Sequence, residues 1–396
     1  MKIAHIADIH WGLGYPGPNS ESRFLDICRV MDWSADRMIT EQVDLVLVAG
    51  DMFRKADVSL EKASREIRAA VAWLRKLTAA GIEVIVISGT PSHDPVSAYE
   101  LLQAFELPGV RIVTDPNAIF FEKHDSTVSI VCLPGMDRSS FANKDEYRGL
   151  PAHVMHQMMT DNIAETCQGL LKDEMFQTLV PNASVLVGHL TYDLADTGFE
   201  DVLMQNEAIL TQEAVQGYDL VCLGHIHRPQ QNGSVFYSGS PERLSFSDEK
   251  QGAGFWIHEW DGTKFDSQFI NTPARKYLTI YLKNDDIVEF NNGLAPFWRE
   301  YTLVSDAIVR IIYTCDEATN KQFDRRAMEQ RLYDAGAFFV SEIRGEIARA
   351  GRMRDADVTD QLGPVEAMRK WAANQEIPAA EIDELAAMTA QLMEVA

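Results

Sequence analysis

Six short apolar runs end at residues able to bind metal or phosphate, and that repetition constrains the fold more than any other feature of the chain. Residues 3–7 lead into Asp8 and His10, residues 45–49 into Gly50 and Asp51, and residues 84–87 into Gly89-Thr90-Pro91-Ser92-His93-Asp94. Further on, 185–187 run into Gly188 and His189, 220–223 into Gly224, His225 and His227, and 235–237 into Ser238-Gly239-Ser240. Apolar runs of this length, closed by glycine and polar residues, read as buried strands. Ligands of an open sheet gather at the carboxyl ends of its strands, so side chains distant in sequence converge there. Two aspartates and four histidines delivered in this way make the donor inventory of a dinuclear metal site.

The intervals between these runs carry helical periodicity. Across residues 58–80, Leu60, Ala63, Ile67, Ala70, Val71, Leu74 and Leu77 share one face, and Gly81 stops the helix. Residues 155–171 predict another. Helices alternating with strands to about residue 270 imply a layered α/β fold with a parallel or mixed sheet. Past residue 230 the pattern turns to short β runs at 235–237 and 255–260, with Asp261-Gly262 as a turn. Residues 271–275 read as a linker. Strands at 277–282, 307–313 and 338–343 and a helix near 324–335 then predict a small α+β domain. An arginine-rich stretch (Arg344, Arg349, Arg352, Arg354) leads to two short amphipathic helices with Pro364 and Pro378 in their first turns. Val365, Met368 and Trp371 form the apolar face of one; Ile382, Leu385, Met388 and Leu392 form that of the other.

Bulk composition narrows the class. A chain of 396 residues exceeds what one core serves, so more than one domain is expected. No apolar run is long enough to span a membrane, and the first strand begins at once, which predicts an unprocessed cytosolic protein with no membrane association. The five cysteines include no Cys-x-x-Cys pair, which predicts neither a disulfide framework nor a thiolate zinc site. Cys132 and Cys222 lie inside apolar runs and read as small hydrophobes. The net charge of −23 argues against nonspecific nucleic-acid binding through lysine and arginine, except where bound divalent cations supply the local positive charge.

Asp8 and His10, two apart at one strand end, point to the same side and can share a cation. Asp51 is the natural bridge, since a carboxylate can offer one oxygen to each of two ions. His225 and His227 repeat the two-residue spacing, and His189 adds another nitrogen. Mixed oxygen and nitrogen donors suit Mn, Fe or Zn better than Mg or Ca. Two such ions, about 3.5–4 Å apart, polarise a phosphoryl oxygen and activate water for in-line attack. His93 is the candidate for protonating the leaving oxygen. Arg54, Arg228 and Arg243 are candidates for phosphate contact. The remaining histidines have bland readings: His5 as a packed or edge residue, His153 and His156 on a solvated helix face, His124 and His258 as ordinary surface or strand residues.

The ordered set resembles the calcineurin-like metallophosphoesterases, whose pattern is D-x-H, G-D, G-N-H-D, G-H and G-H-x-H. The stretch from Leu223 to Gln230, followed by Tyr237-Ser238-Gly239-Ser240-Pro241-Glu242-Arg243-Leu244-Ser245-Phe246, is similar more narrowly to the SbcD-type DNA repair nucleases. These are bacterial and phage relatives of the meiotic recombination nuclease. The resemblance implies a layered metallophosphoesterase sandwich over residues 1–272, an α+β capping domain over 273–345, and a linker with a helical tail over 346–396. It implies two Mn²⁺ ions, one held by Asp8, His10, Asp51 and His227, the other by Asp51, His189 and His225. It further implies cleavage of DNA, exonucleolytic from double-stranded ends and endonucleolytic on single strands or hairpins. An SbcC-type coiled-coil ATPase gripped by the tail helices, and a homodimer formed through the helices at 58–80 and 97–105, would complete the assembly. Such a nuclease works in the cytoplasm, at the nucleoid, or in a host's cytoplasm if phage-encoded. One departure stands out: the G-N-H-D motif carries a two-residue insertion and lacks its asparagine, leaving Ser92 as the candidate ligand. Rival readings are a phosphoesterase acting on small phosphodiesters or phosphoproteins, and a non-catalytic scaffold for DNA ends or the ATPase.

Overall fold

The computed structural model describes residues 1–54, 64–92, 94–123, 125–136, 150–173, 181–198, 208–293, 301–347, 362–375 and 377–395. His93, His124, residues 58–63 of the expected helix, and Arg349, Arg352 and Arg354 lie outside these. The chain divides into two compact units. One comprises Met1–Thr279, Glu300–Arg310 and Glu329–Glu342; the other comprises Ile280–Arg299, Ile311–Met328 and Ile343–Ala396.

The larger unit is built on two six-stranded sheets. Strands β1 (Lys2–Ile6), β2 (Leu45–Ala49), β3 (Glu83–Ile87), β4 (Val110–Val113), β13 (Gly254–Trp260) and β14 (Phe265–Asn271) form the first, in the order β14-β13-β1-β2-β3-β4. Here β1 to β4 are parallel, and β13 adds antiparallel to β1 with Ile3 opposite His258 and His5 opposite Trp256. Strands β5 (Asn117–Lys123), β6 (Ser126–Leu133), β7 (Ala183–His189), β10 (Leu220–Gly224), β11 (Gln230–Asn232) and β12 (Val235–Tyr237) form the second, in the order β11-β12-β10-β7-β6-β5. Its β6, β7, β10 and β12 run parallel. Short strands β8 (Thr191–Tyr192) and β9 (Ile209–Leu210) pair on their own.

Strand alternation sorts the apolar side chains into three layers. Ile3, Ala7, Leu45, Leu47, Cys132, Val185, Val187 and Cys222 fill the space between the sheets. Their strand neighbours Ala4, Ile6, Val46 and Val48 face the opposite way. There they meet Ile27 and Met31 of helix α1 (Ser22–Thr40) and Ile67 and Leu74 of α2 (Ser64–Ala79). On the far side, Val131, Leu133 and Leu186 pack beneath Met155, Met159 and Ile163 of α4 (Ala152–Leu171), while α3 (Val96–Ala104) flanks β4. Covering both faces of each sheet is what lets β1, β2 and β10 be nearly unbroken apolar runs. Each buried Leu, Ile or Val contributes about 1.5–3 kcal/mol. The four layers match the sandwich that the alternation of runs and helices anticipates.

Strands β15 (Tyr277–Leu282), β16 (Ile308–Cys315) and β17 (Phe339–Ile347) make a three-stranded sheet in that order. Within the smaller unit, the Phe323 ring packs edge-on against Tyr313. The tail is a helical hairpin, Pro364–Asn374 and Ala379–Val395, closed by Ala372 and Ala386 and by an Arg369–Asp383 ion pair of 2.6 Å. Trp371, Met388 and Leu392 of this hairpin stay exposed. Among the described residues no helix is long and apolar enough to cross a membrane.

Candidate metal centre

The loops after β1 and β2 continue to pair beyond the strands: Asp8 N donates to Gly50 O (3.2 Å) and His10 N to Asp51 O (3.0 Å). That pairing holds Asp8, His10 and Asp51 side by side with positive φ of 53°, 53° and 49°, and His225 adds a fourth at 95°. Left-handed backbone at non-glycine residues carries strain, and it concentrates here at four of the six anticipated ligands. Gly50 and Gly89 give the room. A Cβ on Gly50 would sit 2.3 Å from His189 Nδ1, and one on Gly89 would sit 2.0 Å from Asp51 Oδ1.

Asp51 faces two ways. Its Oδ2 lies 3.6 Å from His10 Nε2, and its Oδ1 lies 3.2 Å from His189 Nε2. The Nδ1 of His189 is 2.8 Å from Ala49 O, which fixes the tautomer and turns Nε2 toward the carboxylate. On the other flank, His227 Nε2 lies 3.2 Å from His10 Nε2 and 3.9 Å from Asp8 Oδ1. His225 packs its ring edge-on against His189, and its backbone amide donates to both Asp8 oxygens at 3.1 Å. Asp8, His10 and His227 form one group with donor atoms within 4.8 Å of each other; Asp8, Asp51 and His189 form a second. All six side chains anticipated from the strand-end pattern thus come together.

The donors suit divalent cations. Asp8, His10, Asp51 and His189 are at most 3% exposed, so their charges are removed from water. Two imidazole nitrogens 3.2 Å apart need a proton or a cation between them. Burial acts to lower the pKa of His189, yet the carboxylates of Asp51 and Asp8 outweigh it and raise it to about 10. Negative charge is therefore in local excess, which a cation neutralises.

The altered motif after β3 contributes through its backbone. Thr90 N donates to Asp51 Oδ1 at 2.8 Å, whereas the Ser92 side chain sits on an exposed residue of the turn. Asp94, unnoticed as a separate residue in the sequence pattern, is the organising group. Its carboxylate is fully buried and accepts from Gly89 N (2.8 Å), Phe53 N (3.0 Å) and the Tyr99 hydroxyl. Burial and the neighbouring Asp51 charge push Asp94 up to about 7. The signal was present, since an acidic residue a few positions after a glycine can close the turn onto the glycine amide.

The segment from Tyr237 to Phe246 proves to be scaffolding around the centre. Ser240 Oγ donates to Asp8 O at 2.7 Å, and Tyr237 joins Leu190 O (2.8 Å) to Tyr192 N (2.7 Å) just beyond His189. Glu242 is buried against Arg23. Arg243 spends its guanidinium on the backbone carbonyls of Gln251 (3.2 Å) and Arg275 (3.3 Å), and Arg228 reaches Asp196 and Gln251. Arg54 is exposed just past β2.

Residues 1–229 match the model of the calcineurin-like phosphoesterase family. The chain is 27% identical over 237 residues to the DNA double-strand break repair protein Mre11 of Aeropyrum pernix, covering 58% of this chain and 49% of that protein. The match thus spans about half the length of that relative. The chain is 28% identical over 303 residues to the SbcD component of the SbcCD nuclease of Staphylococcus saprophyticus, covering 73% of this chain and 74% of that protein. Among solved structures, GAP50 of Plasmodium aligns at 14% identity with a TM-score of 0.41, covering 68% of this chain and 84% of that one. The SbcD-type resemblance carried by residues 223–246 agrees with the names of these sequence relatives. With its strand-end aspartates and histidines gathered on one divalent-metal centre inside the matched span, the chain belongs to the calcineurin-like phosphoesterase family.

Proposed function

We propose that this protein is a Mn²⁺-dependent DNA nuclease of the SbcD type, exonucleolytic on double-stranded ends and endonucleolytic on single strands and hairpins. The observation that carries the reading is Asp51, whose two oxygens face His10 and His189 on opposite sides. Two divalent cations, when bound there, supply Lewis acidity to the phosphoryl oxygens and lower the pKa of the attacking water. Asp8, His10, Asp51 and His227 would hold one ion; Asp51, His189 and His225 would hold the other, with Ser92 as a weak oxygen donor. His189 keeps its orientation through Ala49 O, and the Thr90 amide holds Asp51 Oδ1 in place. His93 delivers a proton to the leaving oxygen, and Arg54 contacts the DNA backbone beside the centre. Arg228 and Arg243 act on DNA indirectly, by shaping the surface around His227.

Residues 1–272 are the nuclease domain, 273–345 the capping domain, and the tail hairpin the grip for an SbcC-type ATPase. The nuclease works as a homodimer in the cytoplasm in DNA double-strand break processing, recombination or replication.

Cleavage of linear and hairpin DNA should be compared with hydrolysis of a small aryl phosphodiester, both with Mn²⁺. DNA cleavage that falls at least about 100-fold in Asp51→Asn supports the reading. Hydrolysis confined to the small diester would refute it. Cleavage by His93→Ala at the parent rate would remove that histidine from the mechanism.

A further inference from the structure

Between the two sheets lies a cluster that the phosphoesterase centre does not use. The strand alternation that sends Ile3 and Ala7 into the inter-sheet layer sends His5 there too, with Cys222 from β10 and His258 from β13. All three are 0% exposed. His5 is therefore packed, not at an edge, and His258 is a strand residue of β13, buried, not at the surface. One donor atom from each lies within 4.8 Å of the other two.

The imidazoles are set up as ligands. His5 Nε2 is 3.1 Å from Leu223 O, and His258 Nδ1 is 2.8 Å from Ser267 Oγ. Each ring thus has one nitrogen tied by an outer hydrogen bond, the arrangement that orients metal-bound histidines. The remaining nitrogens, His5 Nδ1 and His258 Nε2, have no hydrogen-bond partner. Two unpaired polar atoms in a dry core are costly unless something completes them. The walls exclude water: Phe236 meets the His258 ring edge-on at 4.8 Å, and Trp256 stacks on it at 6.2 Å.

We propose that His5, Cys222 and His258 form a second metal site, a trigonal pocket of two nitrogens and one sulfur that binds a single Cu(I) ion. Soft thiolate with imidazole selects such an ion, and trigonal His₂Cys is a copper geometry. Charge decides between soft candidates. Cu(I) with one thiolate and two neutral imidazoles is net neutral, whereas Zn(II) would leave an uncompensated positive charge in an apolar layer. Binding replaces the S–H bond of Cys222 with an S–Cu bond and releases one proton to solvent, with no change of oxidation state. Bond lengths of about 2.0 Å to nitrogen and 2.3 Å to sulfur put three trigonal donors roughly 3.5–3.7 Å apart, so the cluster closes by a contraction of at most about 1.3 Å. The ion ties β1 and β13 of one sheet to β10 of the other. Because the site has no exposed atoms, loading accompanies folding.

The full chain is refolded with Cu(I) under anaerobic, reducing conditions and challenged with a colorimetric Cu(I) chelator. The expected result is one retained Cu(I) per chain, X-ray absorption showing one sulfur and two nitrogen neighbours, and a raised melting temperature. Cys222→Ala should weaken retention at least about tenfold, while Cys132→Ala, which removes another thiol from the same layer, should not. No retained copper, copper ligated by nitrogen and oxygen alone, or retention unchanged in Cys222→Ala would each overturn the proposal. Preferential uptake of Zn(II) would overturn the choice of a monovalent ion. Should Cys222→Ala fail to fold, His258→Phe makes the same comparison, and the absorption spectrum of the parent chain decides independently.

Discussion

Gly89 shows how tightly the centre is specified at the level of single atoms. A methyl group there would overlap Asp51 Oδ1 at 2.0 Å and meet Asp51 N at 2.2 Å. Gly89→Ala should therefore displace the Asp51 carboxylate and weaken metal affinity by about 10–100-fold, measured by titration calorimetry with Mn²⁺. His5 makes a different prediction, for the metal-free chain. Burial lowers its pKa from 6.5 to about 3, with the hydrogen bond to Leu223 O opposing only in part. Between those values the unfolded chain carries a proton on His5 that the folded chain does not, so stability falls as pH drops through this window. At pH 5 the loss approaches about 2 kcal/mol. Other groups act in the same window: Asp94, pushed up to about 7, adds stability as pH falls toward 3.8, and His258, lowered by burial, loses it as His5 does. His189, raised to about 10, gains most of its share above 6.5, so the His5 share is read from the difference between parent and variant. His5→Leu should remove only this histidine's share of the acid loss, and Leu223 O keeps the Ser238 amide at 3.2 Å. Denaturant midpoints at pH 7 and pH 5, compared for parent and variant, check this; equal slopes would sink it.

Among the elements, those with a clean apolar period were readable. The helix expected at 155–171 is found at Ala152–Leu171, and the described part of the one expected at 58–80 is Ser64–Ala79. Helix α1 escapes that kind of reading because its buried face includes Arg23, Asp26 and Ser34. Arg23 is fully buried but paired with Asp26 and Glu242, a long-range partnership that no local period reveals. Helix α3 carries its own functional load. The Tyr99 hydroxyl donates to Asp94 and accepts from Met52 N at 3.2 Å, tying the helix to the loops after β2 and β3. Tyr99→Phe leaves a buried carboxylate and amide short of a partner and should cost about 1–3 kcal/mol. Thermal unfolding checks the stability. Weaker Mn²⁺ binding in the same variant would locate part of the cost at the centre.

For the molecule as a whole, charge sets the terms of binding. With a net charge of −23, the chain has little to gain from releasing counterions along a phosphate backbone. On the proposed function, cations bound at the centre would be the main attraction for DNA. Fluorescence anisotropy with a hairpin oligonucleotide at about 150 mM salt should show no binding after chelation and clear binding once a divalent ion is restored. Tight binding without any divalent ion would contradict the proposed function. The six apolar runs divide evenly: those at 3–7, 45–49 and 84–87 belong to the first sheet, and those at 185–187, 220–223 and 235–237 to the second.

Composition and local order were enough to establish the layered α/β class, the strand ends and the identity of the six converging aspartates and histidines. They suffice because apolar period and strand-end chemistry are local properties, written within a few residues of each other. What the folded chain alone decided is how distant strands stack. Which oxygen of Asp51 faces which imidazole depends on two sheets meeting, and so does the backbone role of Thr90. The meeting of His5, Cys222 and His258 depends on β1 and β13 facing β10, which are separated by more than two hundred residues from one end to the other. A histidine in an apolar run is locally indistinguishable from packing filler, and only the register of its neighbours gives its free nitrogen something to bind.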